Sequence, residues 1–174
     1  MMLVRLIGLL AALLLAQGIA AAQGAKPTDP QIAHIAYTAG EIDVKAAKLA
    51  LQKSKNKEVR AFAQDMVRDH TAVNKQALAL VQKLKVKPED NDTSKSLVKG
   101  ADAKNAELSK LSGAAFDKAY VDNEVAYHKT VNGALQGTLI PSSSNAELKD
   151  LLQTGLKIFQ GHQQHAEHLA GSLK

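Results

Sequence analysis

Five ionisable side chains sit where a helical protein would normally place leucine or valine: Asp43, His70, Glu124, His128 and His162. Each becomes visible when its segment is projected at about 100° per residue. Asp43 falls inside the arc drawn by Ile32, Ile35, Ala36, Ala39, Ala46 and Ala47, and His70 lies at the centre of the arc from Val59, Phe62, Met66 and Val73. Glu124 and His128 project one turn apart among Val121, Val125, Val131 and Leu135, and His162 is central among Leu152, Phe159, Ala166 and Leu169. Imidazoles and carboxylates in this mixture suit a borderline divalent metal such as Zn, Fe, Mn or Cu. All five are therefore candidate metal ligands. Each also has a plainer account. A single histidine on an apolar face can be satisfied by a backbone or side-chain partner. A buried carboxylate, which is rarely left alone, can be matched by an Asp–His or Glu–His pair with no metal.

The elements that must position these groups are helices. No stretch beyond the leader alternates as a strand would, and alanine, leucine, lysine and glutamine dominate. Thr28-Asp29-Pro30-Gln31 opens a helix that runs to about Ser54, and Asn56 caps a second that runs to about Leu84, before Pro88. Glu89–Thr93 is a polar loop, and a shorter helix covers about Ser94–Leu111. A fourth spans about Ala115–Leu135, losing definition at Gly137. Ser144 and Glu147 have capping-box spacing for the last, which reaches about Leu173. Four long helices with a helical connection over about 86–113 make an all-α, ferritin-like four-helix bundle, two antiparallel hairpins joined by a long crossover. At ~1.5 Å per residue, Asp43 and His70 lie at levels only about 4–5 Å apart, and Glu124 and His162 about one turn apart. The register of one hairpin against the other cannot be read this way.

The chain begins with a leader for export: Arg5, an apolar run from Leu6 to Leu15, and Ala20-Ala21-Ala22 as the cleavage pattern. This divides the chain into a signal peptide at 1–22, a short flexible segment at 23–29 and the bundle at 30–174. The mature protein is expected in the bacterial periplasm or outside the cell, with no stable membrane insertion after cleavage. There is no cysteine, which excludes disulfides, thiolate ligands and a Cys nucleophile. The formal charge of +5 falls to +4 once Arg5 is removed, and it is spread over lysines at turns and helix ends. With three Phe, three Tyr and no Trp, the chain lacks the basic, aromatic-studded face of a nucleic-acid binder, so no nucleic-acid partner is expected. Weak attraction to an anionic envelope surface is compatible with the charge.

Two blocks of residues carry a family resemblance. The first is Ile42-Asp43-Val44, Lys48-Leu49-Ala50 and Val59-x-x-Phe62-Ala63-x-x-Met66-Val67-x-Asp69-His70-Thr71, with Asn74 following. The second is Leu108-x-x-Leu111-x-Gly113, Phe116-Asp117-x-x-Tyr120, then His128 and His162. Together they resemble the secreted bacterial family called domain of unknown function 4142, whose members are often labelled outer-membrane proteins. The resemblance implies a ferritin-like fold and no established reaction. It places Asp43 on the family's acidic position, usually Glu, and His70, His128 and His162 on its histidine positions. Glu124 falls where the family has Gln or another residue.

No nucleophile elbow, phosphate loop or zinc-protease motif occurs. The di-iron pattern of paired Glu and Glu-x-x-His motifs is also incomplete, since Glu124-x-x-x-His128 is one residue too long and has no second copy. The sequence thus supports an exported bundle that binds a metal or small ligand through inward His and Asp side chains. The alternative is a non-catalytic envelope or stress-related protein whose inner polar groups pair only with each other.

Overall fold

The computed structural model describes residues 26–173. The leader and its cleavage site lie outside the described residues. Helix α1 (Asp29–Lys53) starts where the sequence places it, with Gln31 Oε1 accepting the Thr28 N–H at 3.1 Å and Pro30 in the first turn. Asp29, read as part of the segment before the bundle, belongs to this helix. Helix α2 (Lys57–Lys83) is capped by Asn56, whose side-chain oxygen accepts from the Glu58 and Val59 N–H groups at 2.9 and 3.2 Å. It ends with Lys85 in a left-handed conformation at φ 54°, where the Val86 N–H returns to the Val81 carbonyl at 2.9 Å.

Helix α3 (Asp92–Ser109) begins two residues earlier than the sequence suggests, because Asn91 caps it by accepting from the Ser94 N–H at 3.0 Å. Helix α4 (Gly113–Ala134) starts on a glycine at φ +55°, a conformation that costs a side-chain-bearing residue more. Gly137 does not end the helical path. A π-helical turn (Leu135–Leu139) carries it into the short α5 (Ile140–Ser142), with the Ile140 N–H bonded five residues back to Leu135. The wide turn accommodates Pro141, which would crowd the carbonyl four residues earlier in a regular helix. Helix α6 (Ala146–Ser172) is capped by Asn145, which accepts from the Leu148 N–H at 3.0 Å. The expected Ser144–Glu147 box is not used. Ser144 instead donates its hydroxyl and its N–H to Asp29, at 2.5 and 2.9 Å.

Those end contacts define the topology. Asp29 against Ser144, and Lys83 against Glu147, bring the start of α1, the end of α2 and the start of α6 to one end of the bundle. At the other end the Lys53 ammonium donates to the Ser109 carbonyl at 2.7 Å, so α3 has climbed the full length between them. Helices α2 and α4 therefore run in the same direction, and α1 and α6 in the opposite one. Helix α1 packs on α2 and α4, and α6 packs on α4 and α2, and each of these four pairs is antiparallel. This is the ferritin-like order that a long crossover allows, not up-down-up-down.

The core is divided. Towards the Lys53 end, Phe62, Met66, Phe116, Tyr120 and Leu169 pack with Ala46, Ala47 and Ala50. Towards the Asp29 end, Ile32, Ile35, Leu135, Leu148, Leu152 and Phe159 form a second cluster. Among the described residues, no helix is long and apolar enough to cross a membrane.

Candidate metal centre

A layer of buried polar side chains lies between the two apolar clusters, and every long helix contributes to it. Helix α2 buries Val59, Phe62, Met66, His70 and Asn74, the spacing of one helical stripe, so His70 occupies a core position by geometry alone. Helix α4 does the same with Tyr120, Val121, Glu124, His128 and Asn132, and α6 with Leu152, Phe159, His162 and Ala166. Asp43 arrives from α1. Asp43, His70, Glu124 and His128 are at most 2% exposed and His162 is 7% exposed, so bulk solvent has little access to these groups. The structure brings all five sequence candidates together and fixes the hairpin register that the sequence left open.

The three imidazoles form a triangle with ring centroids 5.6 Å (His70–His128), 5.3 Å (His70–His162) and 5.6 Å (His128–His162) apart. One nitrogen from each lies within 4.8 Å of the other two. Outer partners assign two tautomers. His128 Nδ1 donates to the Glu124 main-chain carbonyl at 3.0 Å, which leaves a lone pair on Nε2. His162 Nε2 donates to Asp69 Oδ2 at 3.0 Å, which leaves a lone pair on Nδ1. Both remaining nitrogens are buried without a hydrogen-bond partner. The His70 ring is stacked on Phe159 at 4.4 Å with 6° between planes. Its Nε2 is 3.3 Å from Asp43 Oδ2, but neither of its nitrogens makes a hydrogen bond.

A second cluster adjoins the first through His128: one ligand atom each from Asp43, Glu124 and His128 lie within 4.8 Å of one another. Burial, then the neighbouring Glu124 charge, hold the Asp43 carboxyl well above the usual carboxylate range. Burial pushes Glu124 up to about 7. Two carboxyls this close and this dry share a proton near neutral pH. The histidines move the other way. Burial pushes His128 down to about 4 and, helped by the neighbouring His128 and His162, takes His70 well below its ordinary value. Burial also lowers His162, against the pull of Asp69. At neutral pH all three rings are uncharged, the form that coordinates a metal.

Asp69 was not among the candidates, because on the helical projection it lies to one side of the apolar arc. Its carboxylate nevertheless reaches across the α2–α6 seam to His162. The Arg68 guanidinium grips it with bonds of 2.7 and 2.9 Å, and this hydrogen bonding holds it below the usual carboxylate range. Its place immediately before His70 in the Asp-His pair was the available signal. His165 and His168 are exposed and stand outside the triangle.

A ferritin-like helical bundle with a buried histidine–carboxylate layer is the class that fold and site define. The chain belongs to the family described as Domain of unknown function (DUF4142), whose model matches residues 14–169. No curated protein matches the sequence. Among solved structures, a DUF305 protein from Streptomyces coelicolor, provisionally described as secreted, aligns with TM-score 0.70 and 13% identity over 82% of this chain and 91% of its own. A DUF305 fragment from Deinococcus radiodurans aligns with TM-score 0.68 and 20% identity, over 84% and 99% of the two chains. CopM in its Cu(II)-bound form aligns with TM-score 0.67 and 13% identity, over 86% and 99%. At these identities the likeness is one of fold.

Proposed function

We propose that this protein is an exported, non-catalytic metal binder of the bacterial envelope, and that His70, His128 and His162 hold a copper ion. The observation that carries the reading is the set of orphaned ring nitrogens: three uncharged imidazoles, two with tautomers assigned by outer partners, converge in a dry layer. Buried polar atoms without partners are rare because each costs desolvation energy, and a metal ion is a partner that would satisfy all three at once. Three imidazoles suit Cu, Zn, Fe or Ni, and at a site of fixed ligands Cu(II) binds most tightly in the first-row order. The Cu(II)-bound state of CopM, a relative in fold, is consistent with that choice. Asp43 and Glu124 stand beside the triangle as a pair able to give up a proton as positive charge arrives. The orphaned nitrogens also count against the reading in which the inner polar groups merely pair with each other.

The test is a thermal melt of untagged mature protein, metal-free and with Cu(II), Zn(II), Mn(II) or Fe(II), alongside His70→Leu and His168→Leu. Copper should stabilise the wild type by about 2.7 kcal/mol at a hundredfold excess over Kd. It should leave His70→Leu folded but unmoved, and stabilise His168→Leu like the wild type. Equal stabilisation of His70→Leu, or none of the wild type by any of the metals, overturns the proposal.

A further inference from the structure

The half of the core on the Asp29 side of the polar layer is not filled. A cavity of about 570 Å³ lies there, lined by residues from all four long helices and by Leu97 of α3. Its origin is in the sequence. The other half of the core is filled by Phe62, Met66, Phe116 and Tyr120, whereas here the inward positions include Ala36, Ala39, Ala77 and Gly155. Protein interiors are normally packed as tightly as organic crystals, with few voids larger than a water molecule. An engineered apolar void of about 150 Å³ already stays dry and binds benzene, and small-molecule pockets begin at about 300 Å³. A space of this size in so small a bundle has the dimensions of a binding site.

Its chemistry is uneven along its length. The deep part is mainly hydrocarbon: Ile35, Val73, Leu135 and Leu152 line it with Phe159, whose ring stacks on His70, and with Asn74, whose carboxamide is committed to Glu41 at 2.8 Å. Among the described residues, no ionisable side chain lines this part. Polar lining residues gather at one end, where Lys26 precedes α1, Gln31 lies in its first turn, and Asn91 and Thr93 cap and open α3; of the others, Asn74 and Thr130 are hydrogen-bonded to Glu41 and to the Ala126 carbonyl, and Thr138 belongs to the π-helical turn. Those at that end are chiefly amides and a hydroxyl. Beside the one lining lysine, the segment around Asn91 carries Glu89, Asp90 and Asp92; Asp90 is paired with Lys95 at 3.4 Å, and the other two carboxylates disfavour an anionic head group.

We infer that this cavity binds an aliphatic molecule with an uncharged, hydrogen-bonding head, such as a long-chain alcohol or a glyceride, its chain lying between α1, α2, α4 and α6 and its head at Gln31, Asn91 and Thr93. The site is separate from the histidine triangle and does not rest on metal binding.

Calorimetric titration of the mature protein in chelator, with dodecanol and with dodecanoate as the charged comparator, tests this. Dodecanol should bind saturably with one site per chain and at least tenfold more tightly than dodecanoate. Ala77→Leu and Ala36→Leu, which place extra methyl groups in the cavity, should each weaken dodecanol at least tenfold, with melting temperatures no lower than wild type. Ala72→Leu, on the exposed face of α2, should leave binding unchanged. The absence of saturable dodecanol binding to the wild type overturns the inference. Unaltered affinity in both filled variants overturns the location, and tighter binding of dodecanoate overturns the ligand class.

Discussion

Glu124→Gln tests whether the polar layer is as dry as its geometry implies. In the unfolded chain Glu124 titrates near 4.5, and in the folded bundle burial moves it to about 7. The sign follows from proton uptake. Below the unfolded value the carboxyl is protonated in both states and pH has no leverage. Between about pH 4.5 and 7 the folded state alone retains the proton, so stability falls as pH rises, and the loss is complete once pH has passed the folded value. A displacement of this size corresponds to about 3 kcal/mol at high pH. His128 acts oppositely. Its folded value is depressed to about 4, so the unfolded chain takes up protons first and stability falls as pH drops from about 6.5 towards 4, by a similar amount. In the metal-free wild type the two contributions oppose each other over nearly the same window and largely cancel. Glutamine keeps the shape and removes the ionisation. The variant should match the wild type near pH 4.5 and exceed it by about 3 kcal/mol near pH 8, because the rise due to His128 is no longer offset by Glu124, while Asp43, also held above the usual carboxylate range by burial, keeps its own contribution. Urea unfolding followed by helical circular dichroism, in chelator and at a series of pH values, provides the comparison. Parallel wild-type and variant profiles would refute the reasoning, because Glu124 would then be titrating as an ordinary, solvated carboxyl.

Three further outcomes follow from particular contacts. Asp69→Ala removes the partner that assigns the His162 tautomer, and competition with a chelator should show copper affinity reduced by about tenfold to a hundredfold. Gly40→Ala drives a methyl group into the Asn74 carboxamide, which is itself held by Glu41 at 2.8 Å. Despite the better helix propensity of alanine, the melt should report a net loss of about 1–3 kcal/mol. Asp29→Ala breaks three hydrogen bonds to Ser144 and Asn145 and should cost about 1–2 kcal/mol, with faster amide exchange confined to the first turns of α1 and α6.

What the sequence discloses and what it withholds divide along physical lines. Local signals were readable: Thr28 and Asn56 stand at the helix starts, and the apolar stripes through His70 and His162 face the core. Asp43, Glu124 and His128 could be picked out because a polar group on such a stripe is conspicuous against its neighbours. Features set by distant partners were not readable. Ser144 looked like a cap until Asp29, far away in sequence, claimed its hydroxyl and left the role to Asn145. Asp69 sits off the stripe, and its value to His162 exists only once α2 and α6 are side by side. Gly137 signalled a loss of helix, but a π-helical turn carries the path through it.

The distribution of the triangle over the two hairpins bears on how quickly an ion could leave. His70 belongs to the α1–α2 hairpin, whereas His128 and His162 belong to the α4–α6 hairpin. An ion held by all three would rivet one hairpin to the other. Rotation of a single ring could loosen it but not release it, since the rings are packed against Phe159 and against each other. Release would wait for the hairpins to part, an opening of the kind that amide exchange reports and that is far slower than side-chain motion. Metal loss to an external chelator would then reach a ceiling rate independent of chelator concentration, and that ceiling would equal the opening rate of the bundle. Such a protein would keep its ion for as long as it stayed closed and would surrender it mainly to whatever pries the hairpins apart.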